Sequence, residues 1–240
     1  MLGQIYFKTI TLKTITIAID GFSSTGKSTL AKQLAKHLGY IYVDSGAMYR
    51  AITLFAMENG YITKEYFDVD SLNNSLEFIK LHFEFNANLG FAEMYLNDRN
   101  VEKEIRTIEV SNFVSKVAEI SQVRAKLVEQ QQAMGKDKGV VMDGRDIGTV
   151  VFPNAELKIF MTASSETRAQ RRFDELQAKG DAVSYDEVLK NVQERDYIDT
   201  HREDSPLVKS DDAIEIDNSY LNKQEQFDAV LELVEEVMNS

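Results

Sequence analysis

The sequence predicts an α/β protein in which helices cover the faces of a parallel β-sheet. Residues Gly21 to Ser28 fit the pattern G-x-x-x-x-G-K-[ST], and they lie between a β-branched apolar run and leucines at helical spacing. Strand-like and helix-like runs then alternate along the chain, which is the order that produces parallel strands. Residues Leu81 to Leu96 interrupt this order with two extended runs around a glycine-containing turn, which indicates a small antiparallel β insert.

The Gly21 to Ser28 segment has the composition of a phosphate-binding loop. Glycines let successive backbone N–H groups point inward, and the helix that follows adds the positive end of its dipole. Lys27 is predicted to reach the β- and γ-phosphates of a nucleotide, and the Ser28 hydroxyl is predicted to hold magnesium. The residues predicted to bind the nucleotide are Gly21, Phe22, Ser23, Ser24, Thr25, Gly26, Lys27, Ser28 and Thr29.

The remaining elements follow from apolar periodicity and from turn residues. A strand over residues 15–20 and a helix over residues 29–38 flank the phosphate-binding loop. Further strands are predicted at residues 40–43, 140–142, 157–161 and 213–216, and further helices through residues 49–56, from 108 towards 134 with a break near 121, from 164, over 185–200 and at the chain end. In the hairpin, residues 86–90 and 97–100 are predicted turns, and Phe83 and Phe85 are expected to form a small core of their own.

Composition limits the classes of function. The chain has 240 residues and a formal net charge of −12, which argues against non-specific binding of nucleic acid, because such binding needs a broad basic surface. The absence of cysteine excludes disulfides and thiolate metal sites. Nothing in the sequence approaches the run of about 20 apolar residues that a membrane span needs. We therefore expect a cytoplasmic protein without a membrane or nucleic-acid partner, whose anionic ligands are attracted by local basic clusters.

The first residues carry no recognisable function. Residues 1–14 contain scattered apolar side chains interrupted by Lys8 and Lys13, and they lack the continuous apolar core and the cleavage site of a signal peptide. We interpret them as an N-terminal extension or as an additional edge strand.

Charged residues follow the ends of predicted strands. Asp143 ends an apolar strand, so it is a candidate for holding magnesium directly or through water, with a turn-capping role as the alternative. Arg145 and Asp146 are expected to project into the same crevice. Arginine guanidinium groups bind phosphate in bidentate fashion. The arginines considered for that role are Arg50, Arg106, Arg124, Arg145, Arg168, Arg171, Arg172, Arg195 and Arg202.

Four segments resemble a known family, the bacterial cytidylate kinases among the P-loop nucleoside monophosphate kinases. The segments are Asp44 to Arg50 (DSGAMYR), Glu104 to Thr107 (EIRT), Asp143 to Pro153 (DGRDIGTVVFP) and Glu194 to Asp196 (ERD), and the resemblance extends from about Ile15 to Asp217. It implies a P-loop fold of three layers with a central five-stranded parallel sheet and a helical lid. The implied division is an extension (1–14), a core (15–62, 105–165 and 206–240), a CMP-binding insert (63–104) and a lid (166–205).

The resemblance also implies roles for individual residues. Lys27, Arg145, Arg195, Arg168 and Arg172 correspond to catalytic residues, and the last two correspond to lid arginines that approach the triphosphate of ATP. Ser28 and Asp143 correspond to metal-binding positions. Residues implied to bind CMP are Ser45, Arg50 and Arg145 around its phosphate with Arg106 close by, Ser115, Arg124 and Asp146 at cytosine, Arg195, Asp199 and Arg202 near the ribose and the lid, and Tyr49. Independently, a carboxylate such as Asp146 suits the 4-amino donor that cytosine has and uracil lacks.

Two positions depart from the family pattern. Phe22 stands where proline is common, and Thr25 stands where a small residue is usual. Because neither position supplies a side-chain ligand in the family, we expect a change in loop stiffness or in adenine-side packing, with activity retained.

The expected function is transfer of the γ-phosphoryl group of ATP to CMP or dCMP by a monomer that needs Mg²⁺. Two alternatives stay open at this point: a kinase for another small acceptor such as UMP or a metabolite, and a module that binds ATP without transferring phosphate. A GTPase is disfavoured because the sequence contains no D-x-x-G motif and Asn222 to Glu225 only approaches the guanine-reading pattern.

Overall fold

The computed structural model describes residues 13–239. The extension predicted for residues 1–14 therefore lies outside the described residues except for Lys13 and Thr14. The strands are β1 (Thr16–Gly21), β2 (Ile41–Asp44), β3 (Leu81–Asn86), β4 (Phe91–Leu96), β5 (Arg99–Asn100), β6 (Val140–Gly144), β7 (Leu157–Thr162) and β8 (Ile214–Asp217). The helices are α1 (Lys27–Leu38), α2 (Ser45–Glu58), α3 (Val69–Ser75), α4 (Ile108–Ala118), α5 (Ser121–Met134), α6 (Ser165–Ala178), α7 (Tyr185–His201) and α8 (Lys223–Asn239).

Five parallel strands form the central sheet in the order β2-β6-β1-β7-β8. The register places Asp143 beside Ile19 on one side and beside Asp44 on the other. The carboxyl ends of β1, β2 and β6 therefore meet at one edge, where ligands bind in sheets of this kind. The predicted α/β fold with a five-stranded parallel sheet is confirmed.

Alternation along the strands divides the core into two layers of side chains. Ile17 and Ile19 of β1 pack with the buried face of α1 and with Val230 and Val234 of α8. Ala18 and Met142 face the opposite side of the sheet, where they pack with residues that follow β6. β1 is buried along its whole length, and its residues Ile17, Ala18 and Ile19 form the continuous apolar run that is typical of a strand covered on both faces.

The insert is a three-stranded antiparallel sheet in the order β3-β4-β5. The prediction of a turn over residues 97–100 was wrong at its second half. Asn97 and Asp98 make the turn with positive φ angles of 46° and 65°, and Arg99 and Asn100 then pair back onto β4 as β5. Helix α3 was not predicted, because seven mostly polar residues carry too little periodicity to identify a helix.

The expectation that the hairpin aromatics form a separate core was wrong for Phe85, which is 72% exposed. Met94 and Leu96 of β4 are instead buried in the same cluster as Met48 and Ile52 of α2, and Phe83 packs against that cluster. The insert therefore shares the core of the main body, and Phe85 lies beyond its edge.

The helical pattern from residue 108 to residue 134 forms two helices, α4 and α5, in agreement with the predicted break. Ile120 separates them in an extended conformation (φ −76°, ψ 115°). Ser164 and Ser184 cap α6 and α7 as hydrogen-bond acceptors, and Glu187 completes a capping box on α7. Among residues 13–239, no helix combines the length and the apolar character needed to cross a bilayer.

Gly21 joins β1 to the phosphate-binding loop at a position that no other residue fits. Its φ is +140°, and a Cβ atom there would lie 2.0 Å from the carbonyl oxygen of Met161 on β7. We expect Gly21→Ala to lower the free energy of unfolding by about 3 kcal/mol or more, since β1 and β7 must separate. Urea denaturation without nucleotide measures the loss.

Gly39 is the matched control. It is also left-handed (φ +67°), but a Cβ atom added there would meet no described atom within 4 Å. Gly39→Ala should therefore cost about 1 kcal/mol, from backbone strain alone. Equal losses in the two variants would contradict the steric account of Gly21.

Candidate active site

The phosphate-binding loop turns at two residues with positive φ, Ser24 (60°) and Gly26 (89°), before α1 begins. Gly26 is the N-cap of α1, and because it has no side chain, the first amides of the helix remain available to an anion. Lys27 is buried, and its Nζ donates to the carbonyl oxygen of Phe22 at 2.6 Å. The Lys27 ammonium group is therefore held over the loop that is predicted to bind the phosphates it contacts.

The two unusual loop residues both make packing contacts. The Phe22 ring meets Phe160 edge to face at 6.1 Å, and the guanidinium of Arg168 lies 5.1 Å from the centre of the Phe22 ring. Thr25 is fully buried and donates its hydroxyl to the carbonyl oxygen of Phe22 at 3.0 Å. Asn218 donates to the carbonyl oxygen of Thr25. Phe22 and Thr25 thus tie the loop to β7, to helix α6 and to the end of β8.

Asp143 and Ser28 meet at the carboxyl edge of the sheet. The Ser28 hydroxyl donates to Asp143 Oδ2 at 2.8 Å, and the Tyr42 hydroxyl donates to Asp143 Oδ1 at 2.8 Å. Burial, followed by the charge of Asp44, raises the pKa of Asp143 to about 6. A cation would offset both effects, and hydroxyl and carboxylate oxygens are ligands that Mg²⁺ prefers. Ser28 and Asp143 therefore fit a magnesium ion that is also bound by nucleotide phosphates.

Six cationic side chains line a cavity of about 130 Å³ next to the loop: Lys27, Arg50, Arg106, Arg145, Arg195 and Arg202. Burial lowers the pKa of Lys27, and the neighbouring Arg145 lowers it further. Burial and then Arg195 lower the pKa of Arg50, while burial and then Arg145 lower the pKa of Arg195 to about 10. Lys27, Arg50 and Arg195 are thus each destabilised by burial and by a neighbouring cation, so a polyanion between them would stabilise all three. Burial also acts on Arg145, but Asp199 raises its pKa overall.

Carboxylates from three elements hold several of these arginines. Arg145 Nε donates to Asp199 of α7 at 2.8 Å, and Arg106 donates to Asp44 at 2.7 Å and to Glu102 at 2.8 Å. Arg195 donates to hydroxyl groups instead, at 2.8 Å to Ser23 and at 3.3 Å to Ser111. Its Nε is buried without a hydrogen-bond partner among the described residues.

Behind the cavity lies a buried ion pair between Arg124 of α5 and Asp146. Arg124 Nη2 donates to Asp146 Oδ2, and the two side chains are 2% and 5% exposed. Arg202 lies 3.9 Å from the other carboxylate oxygen. Burial raises the pKa of Asp146 despite both arginines. Ser115, which was grouped with this pair from the resemblance, donates to Asp199 at 3.0 Å instead.

Ser45 and Tyr49 also line the first cavity. The Ser45 hydroxyl donates to the backbone carbonyl oxygen of Asp143 at 2.7 Å. The Tyr49 hydroxyl is buried without a hydrogen-bond partner among the described residues, and the Arg124 guanidinium lies 5.7 Å from the centre of its ring. The Tyr49 hydroxyl is therefore a polar group that a ligand could satisfy.

Arg168 and Arg172 of α6 lie near the phosphate-binding loop. Arg168 forms two hydrogen bonds with Asp196 of α7, at 2.9 and 2.6 Å, and a third with the carbonyl oxygen of Ser23 at 3.3 Å. Arg172 donates to Glu175 at 2.9 Å and to the carbonyl oxygen of Arg106 at 3.3 Å. A second cavity, of about 390 Å³, lies between the loop and Arg172.

The structure brings most of the predicted residues together. Those lining the first cavity are Ser23, Ser24, Lys27, Ser28, Ser45, Tyr49, Arg50, Arg106, Ser115, Asp143, Arg145, Arg195, Asp199 and Arg202. Gly26, Thr29 and Arg172 line the second. Gly21, Phe22, Thr25, Arg124, Asp146 and Arg168 line neither cavity and lie behind these residues.

Sequence reasoning missed the groups that hold the predicted residues in place. Tyr42 supports Asp143, Asp44 and Asp196 pair with Arg106 and Arg168, and Asp20 accepts two backbone N–H groups at the end of β1. Tyr42, Asp44 and Asp20 lie near the carboxyl ends of predicted parallel strands, and that position was the available signal. For Asp196, the signal was its place beside Arg195 in a motif that had already been noted.

The sequence matches the model of the family described as cytidylate kinase over residues 17–236. The chain belongs to the cytidylate kinase family. A cytidylate kinase from Flavobacterium johnsoniae is 76% identical over 227 residues, which is 95% of this chain and 99% of that protein. A cytidylate kinase from Bacteroides thetaiotaomicron is 58% identical over 215 residues, which is 90% of this chain and 94% of that protein.

One solved structure with a similar fold is far more distant than these cytidylate kinases. A shikimate kinase from Bacteroides thetaiotaomicron is 10% identical with a TM-score of 0.44, and the alignment covers 95% of this chain and all of that one (100%). The assignment to the cytidylate kinase family therefore depends on sequence, and the description of the fold depends on the strand order itself.

The buried pair of this cytidylate kinase family member should be sensitive to loss of one partner. We expect Arg124→Met to lower the free energy of unfolding by about 3–5 kcal/mol, because Asp146 would keep its charge in a buried place with only the distant Arg202. Arg124 lowers the pKa of Asp146, so its removal raises that pKa further. The variant should then lose stability as the pH rises, which denaturation at pH 5 and pH 8 would measure.

The control is the exposed pair of Lys179 and Glu175, at 2.6 Å and about half exposed. Lys179→Met should cost less than about 1 kcal/mol at either pH. A loss of that small size in Arg124→Met would contradict the buried-charge account.

Proposed function

We propose that this chain transfers the γ-phosphoryl group of ATP to CMP or dCMP, giving ADP and the nucleoside diphosphate. The observation that carries the proposal is the position of the six cationic side chains of the first cavity, between a phosphate-binding loop on one side and the Arg124–Asp146 pair on the other. Two phosphate-bearing ligands would meet there, one with its base near Asp146. The names of the relatives at 76% and 58% identity support CMP as the acceptor.

Electrostatics would supply most of the catalysis. Phosphoryl transfer proceeds without a covalent intermediate when the donor and acceptor phosphates are held in line and their charge is neutralised. Lys27 would neutralise the β- and γ-phosphates of ATP. Arg145 and Arg195, already fixed by Asp199 and by Ser23, would gather the charge that develops between the two nucleotides.

Acceptor choice would depend on the buried polar groups at the base. The Asp146 carboxylate would accept a hydrogen bond from the 4-amino group of cytosine, and Arg124 would donate to N3 or O2. Uracil offers an acceptor where cytosine has its amino group, so binding of UMP would leave a buried group unpaired. Ser115 and Asp199 would complete this side of the pocket from α4 and α7.

Closure of two parts of the chain would exclude water from the reaction. We infer that residues 63–104, which contain α3 and β3 to β5, act as the CMP-binding insert, and that residues 166–205 act as the lid. Arg168 and Arg172 on α6 would approach the triphosphate as the lid closes. Closure is needed because water in the site would otherwise hydrolyse ATP.

Magnesium would be held by the Ser28 hydroxyl and by Asp143, directly or through water. When bound, it supplies positive charge to the phosphates of ATP. The chain's own contribution is the orientation of Asp143, which is fixed by Ser28 and Tyr42. A monomeric state and a cytoplasmic location remain predictions.

The test is ADP formation by the purified protein with ATP and Mg²⁺ and a panel of CMP, dCMP, UMP, AMP, GMP and no acceptor. We expect turnover confined to CMP and dCMP. Lys27→Ala should lower kcat by about 100-fold or more without loss of fold, because transition-state charge is left unneutralised. Equal turnover with UMP would overturn the base-reading roles, and ADP formation without an acceptor would indicate an ATPase.

The contact between Tyr42 and Asp143 predicts that loss of the Tyr42 hydroxyl changes the Mg²⁺ concentration needed for activity. Tyr42→Phe removes the hydroxyl that orients Asp143 Oδ1, and loss of such a supporting contact costs about 10-fold in metal affinity. The half-saturating Mg²⁺ concentration should rise by that factor, with kcat at saturating Mg²⁺ little changed.

Tyr40→Phe is the matched control for this measurement. The Tyr40 hydroxyl accepts from the Ile15 N–H at 3.1 Å at the opposite end of the same strand region, so its removal should leave the Mg²⁺ dependence unchanged. A Mg²⁺ curve for Tyr42→Phe that superimposes on the wild-type curve would contradict the proposed role of Asp143 in binding the metal.

A further inference from the structure

We propose that Asp20 is a positioning residue for the acceptor base: its carboxylate fixes the backbone turn that carries Asp146, from the strand that leads into the phosphate-binding loop. This inference rests on the proposed function and extends it to a residue outside the predicted site. Asp20 does not line either cavity, so its action on the acceptor would pass through Asp146.

The contacts of Asp20 are directed at two consecutive backbone N–H groups. Asp20 Oδ1 accepts from the Ile147 N–H at 2.8 Å, and Asp20 Oδ2 accepts from the Gly148 N–H at 2.7 Å. The residue is 5% exposed. Both carboxylate oxygens are therefore used to hold the two residues that directly follow Asp146.

The held segment is a compact turn that begins at Asp146. The Asp146 carbonyl oxygen accepts from the N–H groups of Val150 and Val151, at 2.9 and 3.2 Å, and residues Ile147–Val151 form a single π-helical turn. This turn offers its first N–H groups to Asp20 much as a helix offers its first N–H groups to a capping side chain. Ile147 is fully buried beside Ala18 and Val43, so the turn is also anchored by packing.

Asp146 is thus constrained from two directions. Its side chain is held by Arg124 and approached by Arg202, and its backbone is held by Asp20 through the next two residues. The side-chain contacts fix the position of the Asp146 carboxylate relative to Arg124 and Arg202. The backbone contacts fix where the Cα of Asp146 lies relative to β1, and hence how far the carboxylate reaches toward the acceptor base.

A carboxylate is the group that this position requires. Asparagine has the same shape but offers one acceptor and places an amide N–H₂ group against the second backbone N–H. The site has little room to adjust, because a Cβ atom on Gly148 would lie 3.3 Å from Asp20 Oδ2 and 3.2 Å from the Lys158 side chain. Asp20→Asn should therefore displace the turn rather than preserve it.

A purely structural role predicts different behaviour. If Asp20 only stabilised the fold, its loss would lower the free energy of unfolding and would change the KM values for ATP and CMP alike. Asp20 also precedes Gly21, so an effect confined to the phosphate-binding loop would raise the KM for ATP. A positioning role raises the KM for CMP selectively and weakens the discrimination against UMP, because Asp146 is the group that distinguishes the two bases.

The experiment compares Asp20→Asn with the wild-type protein at pH 8 in the full kinase assay. Burial raises the pKa of Asp20 to about 7, so pH 8 keeps its carboxylate ionised. We expect the KM for CMP to rise about 10-fold or more, the KM for ATP to stay within about 2-fold, and the ratio of kcat/KM for CMP over UMP to fall. Calorimetric titration with CMP alone should show the same weakening.

Glu156→Gln is the matched control, because Glu156 Oε2 accepts from the Thr16 N–H at 2.9 Å, at the other end of β1. It should leave both KM values and the CMP preference at their wild-type levels. An unchanged KM for CMP in Asp20→Asn, or an equal rise for both substrates, would overturn the positioning role.

A second variant covers the case in which Asp20→Asn does not fold. Gly148→Ala keeps the carboxylate but forces its new Cβ against Asp20 Oδ2, so it should raise the KM for CMP in the same selective way by a smaller factor. Wild-type behaviour of Gly148→Ala in that case would overturn the inference. Failure of the proposed function gives a separate result, in which the wild-type protein itself does not phosphorylate CMP.

Discussion

Repulsion between buried cations is the interaction on which the site depends. Lys27, Arg50 and Arg195 come from the three helices α1, α2 and α7, Arg145 comes from the segment after β6, and the fold must hold them together before any anion binds. Such a cluster is unfavourable by itself, as the lowered pKa values of Lys27, Arg50 and Arg195 indicate. The energy that stabilises it comes from the packed core below the sheet edge, and part of it is recovered when phosphates enter.

The carboxylates around this cluster explain how it is tolerated. Asp199 binds Arg145, and Asp196 binds Arg168, both from helix α7, whereas Asp44 binds Arg106 from the end of β2. None of these carboxylates neutralises Lys27 or Arg195 by direct contact in the described residues. The positive charges of Lys27 and Arg195 thus stay uncompensated at the place where phosphoryl transfer would need them. Arg106, Arg145 and Arg168 are each paired with a carboxylate.

The sequence predicted the parts of the molecule that depend on local pattern. The phosphate-binding loop, the five strands of the sheet and the break between α4 and α5 followed from spacing and periodicity. Features that depend on tertiary contact could not be predicted from local pattern. Tyr42 is one aromatic residue in an apolar strand, and nothing local reveals that its hydroxyl meets Asp143. The exposure of Phe85 depends on where the core ends, which alternation along a strand cannot show.

The acidic composition of the chain affects which anions can reach the basic cavity. The chain carries a net charge of −12, yet six cationic side chains line a space of about 130 Å³. Exposed charges act over about 8 Å at physiological ionic strength, so the cavity attracts a phosphate only at close range. A free mononucleotide can place all its charge inside, whereas a long polyanion would leave most of its phosphates against a repelling exterior. The cavity and the acidic exterior would therefore favour small anions over long ones.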